Sequence, residues 1–502
     1  MRIIFFLFLT SITIYSYSQN AQNIGNKTIF NSIKEIEISG KIKNYIPSNE
    51  NQFITFRTYQ VTGKIKDTSV FINSHGIFDA RLFQPFKGDI ALLYQDEYLT
   101  LYAEPNEKIN LGIDISKLKS EQNPVKSITL TGKSAVLTKT IIDFQANLRK
   151  QKFKNEPDWK DKIQPDKQFA NARISRMKEE LFFLNEYTRY HKILDKTFEA
   201  WATNDLIYKA GFDIAFFAFA GKLNTSLTDK EFIEFFSDIP IVNNTALNNS
   251  NYYNFLKTLT TDFMIIININ PMYADEKKQS GYNPVPVYLK KLDDYSTGIT
   301  KQLMYYNIYL LNSPKSRDYF LDRFNANISD TYLKKLLFAA KQNSGKIFEP
   351  YDIVKKLQEY KTNDSIKARL INLFNTEKGK YIFADFWGDW CMPCMHEMPF
   401  YPTLIEQFKN SPITFVFFAV ETAEEKATAI KNKYGINARF ITLNDNEAKI
   451  MNNVLQFTSY PSHFVLRPDG FVVDNSIAGI VSGNELDKNT IDRIRKYLFI
   501  EK

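Results

Sequence analysis

The residues best suited to chemistry in this sequence are Cys391 and Cys394, the two cysteines of the chain, which form one C-x-x-C motif. The residues before the motif are typical of the end of a buried strand, and those from Pro393 onward are typical of a helix. A cysteine at a helix N-terminus faces unpaired backbone N–H groups and the positive end of the helix dipole, which stabilise the thiolate. In such motifs the thiol pKa falls from about 8.5 to roughly 3.5–7.5. We therefore predict that Cys391 is an exposed, ionised nucleophile.

Cys394 is expected to complete the chemistry that Cys391 begins. Three residues span nearly one helical turn, so Cys394 can bond to Cys391 while being the more buried of the two. It can then resolve a mixed disulfide that Cys391 forms with another molecule. The motif therefore predicts a redox-active Cys391–Cys394 disulfide, and the chain has no further cysteines for a separate structural one.

Other uses of a C-x-x-C motif fit the sequence less well. Tetrahedral zinc needs about four ligands, and the only histidines in the same predicted domain are His396 and His463. Covalent haem attachment needs C-x-x-C-H, and Met395 occupies the histidine position. We therefore expect no metal and no cofactor. His463 is interpreted as a packed strand residue in preference to a substrate contact.

The last quarter of the chain, residues 376–502, alternates strand patterns with helix patterns. Thr422 and Glu425 have the spacing of a capping box at the start of one of these helices. Such alternation predicts a C-terminal domain with an α/β layered sheet. The predicted strands are 381–386, 413–420, 440–443, 464–466 and 472–476, and the predicted helices are 393–408, 423–434, 445–455 and 485–498.

The preceding chain divides into two regions of different periodicity. Residues 19–134 carry short alternating or β-branched segments separated by turn residues, which predicts an N-terminal antiparallel β-sandwich. Residues 135–375 change to a helical period, which predicts an α-helical middle region. Its many Phe and Tyr residues are interpreted as helical core in preference to a ligand-binding surface. The predicted strands of the first region are 36–42, 53–61, 69–72, 90–94, 98–103, 109–113 and 127–130.

The N-terminus has the features of an export signal. An apolar run from Ile3 to about Tyr17 follows Met1-Arg2 and ends in small residues, so residues 1–18 are predicted to be a signal peptide. The run is short for a bilayer span of about 20 residues, which leaves an uncleaved anchor as the alternative. The net charge of +8 is spread along the chain, which indicates solvated helix faces and no nucleic-acid partner. We expect a periplasmic or cell-envelope protein.

The motifs around the cysteines resemble those of a known family. The sequences DFW at 385–387 and WCMPC at 390–394 resemble the thioredoxin signature. The spacing of Cys394, Glu397 and Pro399 is similar to that of TlpA-like thiol–disulfide oxidoreductases, although a helix-dipole or structural role explains Glu397 at least as well as a functional one. The layout of residues 19–134 is similar to the N-terminal β domain of exported redox proteins of the Bacteroidetes. The resemblance implies a thioredoxin-like fold for residues 376–502.

The resemblance also implies roles for four further residues. Pro461 is expected to be cis and to pack against the active-site disulfide. Tyr460 is expected to offer backbone groups to an extended substrate, as in strand addition. Trp390 is expected to shield the disulfide. Asp385 coincides with a buried carboxylate that exchanges a proton with the resolving cysteine, and a structural hydrogen bond at the end of a strand is the alternative.

The function that the resemblance implies is that of an exported thiol–disulfide oxidoreductase. Its expected partners are disulfide-bearing exported proteins and a membrane-bound thiol electron donor, and cytochrome maturation is one role that TlpA-like relatives suggest. The reducing direction follows the resemblance and not the spacing, because a C-x-x-C pair can oxidise or reduce according to its potential. Two alternatives are a surface binding or scaffold protein with an accessory redox domain, and a thiol peroxidase-like antioxidant protein.

Overall fold

The front of the chain folds into two four-stranded sheets. The computed structural model describes residues 34–499 except 48–51, 62, 64, 96, 121–122, 158–165, 222–226, 282, 313, 345–349, 378, 458–459, 478 and 483–484. The predicted signal peptide, residues 1–18, lies outside the described residues. The strands of the two sheets are β1 Lys34–Lys43, β2 Phe53–Tyr59, β3 Ile65–Phe71, β4 Ile77–Gln84, β5 Gly88–Tyr94, β6 Glu97–Ala103, β7 Lys108–Asp114 and β8 Ile128–Thr131.

The two sheets have the strand orders β4-β1-β7-β8 and β3-β2-β5-β6 and share one apolar core. Ile38 of β1 and Phe56 of β2 lie fully buried in that core. Strands β1 and β7 pair in parallel, so the purely antiparallel arrangement that the pattern predicts does not hold for this pair. The sequence pattern also missed β4. Its outward-facing residues Ile77 and Phe83 are apolar although 42% and 48% exposed, which obscures the alternation of polar and apolar residues.

The middle of the chain is helical, as its periodicity predicts. Its core contains many aromatic side chains, and Tyr208, Tyr252 and Phe255 are each fully buried there. Within the described ranges, every helix is too short or too polar to span a bilayer. With a short helix between β7 and β8 counted first, the helices up to residue 344 are α1 Ile115–Ser120, α2 Ala135–Arg149, α3 Asp166–Tyr190, α4 Lys196–Gly221, α5 Asp229–Glu234, α6 Ser250–Ile269, α7 Ala274–Gln279, α8 Val285–Leu292, α9 Gly298–Leu311, α10 Pro314–Asn327 and α11 Thr331–Ser344.

The C-terminal part of the chain forms a mixed six-stranded sheet with helices on both faces. Its strands are β9 Tyr351–Asp352, β10 Tyr381–Trp387, β11 Ile413–Val420, β12 Arg439–Leu443, β13 Ser462–Leu466 and β14 Phe471–Ile477. The strand order is β12-β11-β10-β13-β14-β9, and only the pairs β10–β11 and β11–β12 are parallel. The remaining elements are α12 Ile353–Glu359, α13 Asp364–Asn375, α14 Met392–Glu397, α15 Tyr401–Gln407, α16 Glu424–Tyr434, α17 Asp445–Leu455, the hairpin β15 Val481–Ser482 and β16 Glu485–Leu486, and α18 Lys488–Phe499.

Two helices that precede residue 376 belong to the core of this sheet. Ile353 of α12 and Leu370 of α13 are fully buried and pack in one cluster with Phe386 of β10. Strand β9 also pairs with β14 at the edge of the sheet. The predicted boundary at residue 376 therefore falls between elements that share one core.

The helix starts differ from the predicted capping in one place. Helix α16 has Ala423 as its N-cap and no side-chain cap, so the predicted capping box of Thr422 and Glu425 is wrong. A capping box is found instead at α17. There Asn444 accepts a hydrogen bond from the Glu447 N–H (3.0 Å), and the Glu447 carboxylate accepts one from the Asn444 N–H (3.1 Å).

Candidate active site

The Cys391–Cys394 pair lies where strand β10 ends and helix α14 begins. All seven residues of β10 are buried, which fixes the strand in the middle of the sheet. The Cys391 N–H donates to the Gly388 carbonyl (3.1 Å) and turns the chain, and Cys391 is the N-cap of α14. The two cysteines are joined in a disulfide, with their Cα atoms 5.2 Å apart. The structure thus places both sulfurs at the predicted strand-to-helix junction.

The start of the helix directs backbone hydrogen-bond donors at the first sulfur. The Cys394 N–H donates to Cys391 Sγ across 3.2 Å. Pro393 lies in the first turn and has no N–H that would be left unpaired there. After reduction of the disulfide, these donors and the helix dipole would stabilise a thiolate on Cys391 more than a thiol.

The sulfur pair is enclosed in the disulfide form. Cys391 is 4% exposed and Cys394 is 1% exposed, and both belong to the apolar core on one face of the sheet. Cys394 is the more buried, as predicted, but the exposure predicted for Cys391 is not seen. The neighbours of Cys391 in the chain are open to solvent, since Trp390 is 50% and Met392 is 64% exposed. Apolar surface therefore borders the disulfide.

The indole of Trp390 is fixed by close contacts. Its Nε1–H donates to the Val420 carbonyl (3.2 Å), and its ring meets Tyr460 edge-on, with ring centroids 5.3 Å apart. A Cβ atom on Gly388 would lie 2.5 Å from Trp390 Nε1 and 3.0 Å from the Val420 carbonyl oxygen. Glycine is therefore required at position 388 for this close approach.

The second predicted anchor, Tyr460 and Pro461, lies at the same site. The peptide bond between them is cis, as the resemblance implies. The Tyr460 hydroxyl donates to Asn452 Oδ1 (3.3 Å), and burial raises the pKa of Tyr460 to about 12, so the phenol is neutral at physiological pH. Through the contact of Tyr460 with Trp390, the two anchors that are distant in sequence meet in space.

The loop before Cys391 is held by Asp389. The Asp389 N–H donates to Thr422 Oγ1 (3.0 Å), and the Thr422 hydroxyl lies 3.1 Å from Asp389 Oδ1. Lys426 Nζ donates to Asp389 Oδ2 (2.9 Å) and holds the pKa of that carboxyl below its usual value. Thr422, which the sequence assigned to a helix cap, therefore positions the loop that carries Trp390.

Next to helix α14, four buried polar side chains form a hydrogen-bonded cluster. Asp385 of β10 stands directly opposite His463 of β13 in the antiparallel pair. The Tyr401 hydroxyl donates to Asp385 Oδ2 (2.7 Å), and its oxygen lies 3.2 Å from His463 Nε2. The same Nε2 lies 3.1 Å from Glu397 Oε2 and 3.4 Å from Asp385 Oδ1. We call these four residues, Asp385, Glu397, Tyr401 and His463, the buried acid cluster.

The end of β14 and the loop that follows it also contact this cluster. The Ile480 N–H donates to Glu397 Oε1 (3.0 Å), and the His463 Nδ1 lies 3.2 Å from the Ile477 carbonyl oxygen. A Cβ atom on Gly479 would lie 2.9 Å from Glu397 Oε1. The backbone thus comes close enough to Glu397 to fix the position of its carboxylate.

The buried acid cluster has perturbed pKa values. Burial raises the pKa of Asp385 to about 6, and the nearby His463 limits that rise. Burial alone would lower the pKa of His463, but Asp385 and Glu397 outweigh it and raise the pKa above its usual value. Burial and the Asp385 charge raise the pKa of Tyr401 well above its usual value. The cluster can therefore exchange a proton near neutral pH.

The structure brings the predicted site residues to one end of strand β10, but sequence reasoning missed one member of the cluster. His463 is a packed strand histidine, as predicted, although it packs in a polar cluster. Tyr401 was not identified. The spacing of Glu397 and Tyr401, three and seven residues after Cys394, is typical of one helix face and could have indicated it. The residues brought together are Asp385, Trp390, Cys391, Cys394, Tyr460 and Pro461.

Comparison with known proteins supports this description of the C-terminal domain. A family model described as thioredoxin-like matches residues 379–472. The chain is 33% identical over 99 residues to the thiol-disulfide oxidoreductase ResA of Bacillus subtilis (strain 168). This alignment covers 19% of this chain and 52% of the relative. It is 30% identical over 100 residues to the ResA of Bacillus thuringiensis (strain Al Hakam), and this alignment covers 20% of this chain and 56% of that relative. The chain thus spans little more than half the length of these two relatives.

Among solved structures, the chain is similar to the thioredoxin domain of a thiol-disulfide oxidoreductase from Bacteroides vulgatus. The sequence identity is 19% and the TM-score is 0.22, over 25% of this chain and 83% of that one. The family match begins at residue 379, so the front sheets and the helical region lie outside it. Residues 379–472 are a thioredoxin-like domain whose curated relatives include proteins named thiol-disulfide oxidoreductases.

Proposed function

We propose that this chain is an exported thiol–disulfide oxidoreductase that reduces disulfides in periplasmic or envelope proteins. The observation that carries the proposal is the Cys391–Cys394 disulfide at the start of α14, next to Trp390, whose ring contacts Tyr460. The names of the curated relatives support the same chemistry. In this proposal the domain is a TlpA-like branch of the thioredoxin fold.

The proposed reaction is a pair of thiol–disulfide exchanges. The Cys391 thiolate attacks one sulfur of a substrate disulfide, a bond forms between the two sulfurs, and the other substrate sulfur leaves as a thiolate. Cys394 then loses its proton and attacks Cys391 Sγ, which releases the second substrate thiolate and forms the Cys391–Cys394 disulfide. The dithiol is oxidised by two electrons and the substrate disulfide is reduced by two. A membrane-bound thiol donor restores the dithiol by the reverse exchanges.

Substrate binding is assigned to the surface around the disulfide. The exposed faces of Trp390 and Met392 offer apolar contact next to Cys391. Tyr460 precedes the cis bond at the start of β13, where its backbone can pair with an extended segment of substrate. Because an extended segment is needed for such pairing, the proposed substrates carry their disulfide in an exposed or unfolded stretch.

Export is proposed from the apolar run at residues 3–17. A signal peptide of this kind would place the domain where disulfides form and where a reductase has substrates. Fractionation of cells that express the chain, with and without residues 1–18, tests this part. Retention of both forms in the cytoplasm would contradict it.

The experiment that tests the activity uses the full chain with its cysteines varied singly. Reduced wild-type chain is expected to reduce insulin disulfides. Cys391→Ala is expected to abolish the activity, and Cys394→Ala is expected to accumulate a covalent adduct with the substrate through Cys391. The double variant Cys391→Ala/Cys394→Ala is the matched control and should form no adduct. An active Cys391→Ala variant would contradict the assignment of the nucleophile.

The direction of the reaction is tested by the redox equilibrium of the pair against glutathione. A reductase requires its dithiol to be a stronger reductant than glutathione. The Cys391–Cys394 disulfide should therefore persist at ratios of reduced to oxidised glutathione that reduce the disulfide of a typical oxidase. An equilibrium in which glutathione readily reduces Cys391–Cys394 would instead indicate a protein that introduces disulfides.

A further inference from the structure

His463 is enclosed by acidic groups that come from three separate elements. Asp385 faces it from β10, Glu397 from α14 and Tyr401 from α15. From β14 it is contacted by the backbone carbonyl of Ile477. The side chain of His463 is 0% exposed, and those of Asp385 and Glu397 are 1% and 7% exposed. Two carboxylates are therefore removed from water around one imidazole.

The hydrogen-bond partners of the ring determine how many protons it carries. His463 Nδ1 faces the Ile477 carbonyl oxygen, which can only accept. His463 Nε2 faces the Glu397 carboxylate and the oxygen of Tyr401, and the Tyr401 hydrogen is already directed to Asp385. With Glu397 ionised, a neutral ring would leave one nitrogen lone pair facing an acceptor oxygen, whereas an imidazolium donates from both nitrogens. This arrangement fits an imidazolium and not a neutral ring.

A charged His463 explains how two carboxylates are accommodated in one buried site. Buried carboxylates close to one another normally keep a proton, because burial and like charge both favour the neutral form. An imidazolium between Asp385 and Glu397 reduces the net charge of the three groups from two negative charges to one. The neutral Tyr401 and the Ile480 N–H add hydrogen bonds to these carboxylates. Asp385 can then stay ionised in the buried site.

The cluster adjoins the resolving cysteine through helix spacing. Glu397 follows Cys394 by three residues in α14, and side chains with that separation are neighbours on a helix surface. Tyr401 packs in the same apolar core as Cys394, and it carries the hydrogen bond to Asp385. Glu397 is thus a helix neighbour of Cys394, and Asp385 is hydrogen-bonded to a residue of the same core.

We propose that His463 is a positioning residue that keeps Asp385 ionised, so that its carboxylate is available to take the proton that Cys394 loses. The inference rests on the proposed function. In the resolving step, the S–H bond of Cys394 breaks and an O–H bond forms on the Asp385 carboxylate. The Cys394 sulfur then bonds to Cys391 Sγ, and the substrate leaves as a thiolate with the electron pair of the broken S–S bond.

The test is the pH profile of the resolving step in the full chain. A mixed disulfide between Cys391 and a small aromatic thiol is prepared, and the release of that thiol by Cys394 is followed from pH 5 to 9. Without the positive charge of His463 the Asp385 carboxylate binds its proton more tightly, so the midpoint of the pH profile for His463→Gln should move up by about 1–3 pH units. The rate at the wild-type midpoint should fall roughly fivefold or more.

The matched control is His396→Gln, the same substitution at an exposed position of α14. It is expected to leave the pH profile of the resolving step unchanged. A His463→Gln profile that coincides with the wild-type profile would overturn the inference. If the wild-type chain resolves no mixed disulfide and reduces no insulin, the proposed function itself fails, and the two failures are therefore distinguishable.

A second measurement on the wild-type chain remains decisive if His463→Gln does not fold. Nitrogen-15 chemical shifts of the histidine rings distinguish an imidazolium from a neutral ring, and the chain has only four histidines to assign. The oxidised protein is expected to show both His463 nitrogens protonated at pH 7. A neutral His463 ring at pH 7 would overturn the inference.

Discussion

The backbone N–H of Cys394 donates a hydrogen bond to the sulfur of Cys391 across 3.2 Å. In the reduced protein the same N–H would face a thiolate, and hydrogen bonds to charged acceptors are stronger than those to neutral ones. We therefore predict that the pKa of Cys391 in Cys394→Ala lies in the range of roughly 3.5–7.5. The rate of alkylation by iodoacetamide as a function of pH measures it. A midpoint close to that of free cysteine, about 8.5, would contradict the prediction.

Gly388→Ala is predicted to disturb the Trp390 side chain. The added Cβ would lie 2.5 Å from Trp390 Nε1 and 3.0 Å from the Val420 carbonyl oxygen, so the indole must move. Overpacking of this kind costs about 1–3 kcal/mol of stability. Denaturant unfolding measures that cost, and insulin reduction is expected to fall with it.

The control for Gly388→Ala is the double variant with Trp390→Ala. Removal of the indole takes away the two closest contacts of the new Cβ, so Gly388→Ala should cost less stability in that background. Equal costs in the two backgrounds would show that the strain does not come from the indole.

Asp385→Asn is predicted to stabilise the chain at pH 7. The pKa of Asp385 in the folded protein is about 6, above the unfolded value of about 3.9. The carboxyl therefore reduces stability progressively as the pH rises from about 4 to 6, and the full cost is present above that. We expect Asn to recover about 1–3 kcal/mol at pH 7 and nothing near pH 3.

The same variant separates stability from chemistry. Asn cannot take the proton that Cys394 loses, so the resolving step should slow by about 100-fold, at the lower end for a general base. Calorimetry at pH 3 and 7 gives the stability, and the release of thiol from the mixed disulfide gives the rate. Asp492→Asn, at an exposed position of α18, is the control and should change neither.

Asp262→Asn is predicted to remove a pH-dependent loss of stability from the helical region. Asp262 of α6 is 0% exposed, and among the described residues neither carboxyl oxygen has a hydrogen-bond partner. Burial raises its pKa to about 8. Because the folded pKa lies above the unfolded one, wild-type stability should fall as the pH rises from about 4 to 8, by roughly 2–5 kcal/mol.

Thermal unfolding at pH 5 and 8.5 checks this prediction. The difference in midpoint between the two conditions should shrink in Asp262→Asn, because the amide is uncharged at both. Asp322→Asn, at an exposed position of α10, is the matched control and should keep the wild-type difference. An unchanged difference in Asp262→Asn would place the origin of the pH dependence elsewhere.

Much of the C-terminal fold follows from local sequence pattern. The strand at Ile413–Val420 and the helix at Asp445–Leu455 have the predicted bounds. Each segment carries the pattern of apolar residues that its position requires, the strand within the sheet and the helix against it. The position of Cys391 at a helix start was predictable for the same reason. Turn chemistry was less predictable. Thr422 has the spacing of a cap, but its hydroxyl hydrogen-bonds to Asp389 instead.

The buried acid cluster could not be derived from the sequence in the same way. His463 meets Asp385 only through the pairing of β13 with β10, and these residues are far apart in the chain. The register of that pair decides whether His463 faces the acids or the opposite side, since a shift of one residue reverses every side chain. The enclosure of Cys391 also depends on tertiary packing, which a helix-start argument does not include.

Strand β9 contributes only two residues, yet it lies along the outer side of β14 and leads directly into helix α12. An edge strand without a partner can pair with another chain, which makes it a template for aggregation. A redox fragment that starts at residue 376 would lack this cover and would leave vacant the apolar surface on which Ile353 and Leu370 pack. Such a fragment would tend to self-associate even with an intact active site, whereas one that starts at residue 350 would keep both protections.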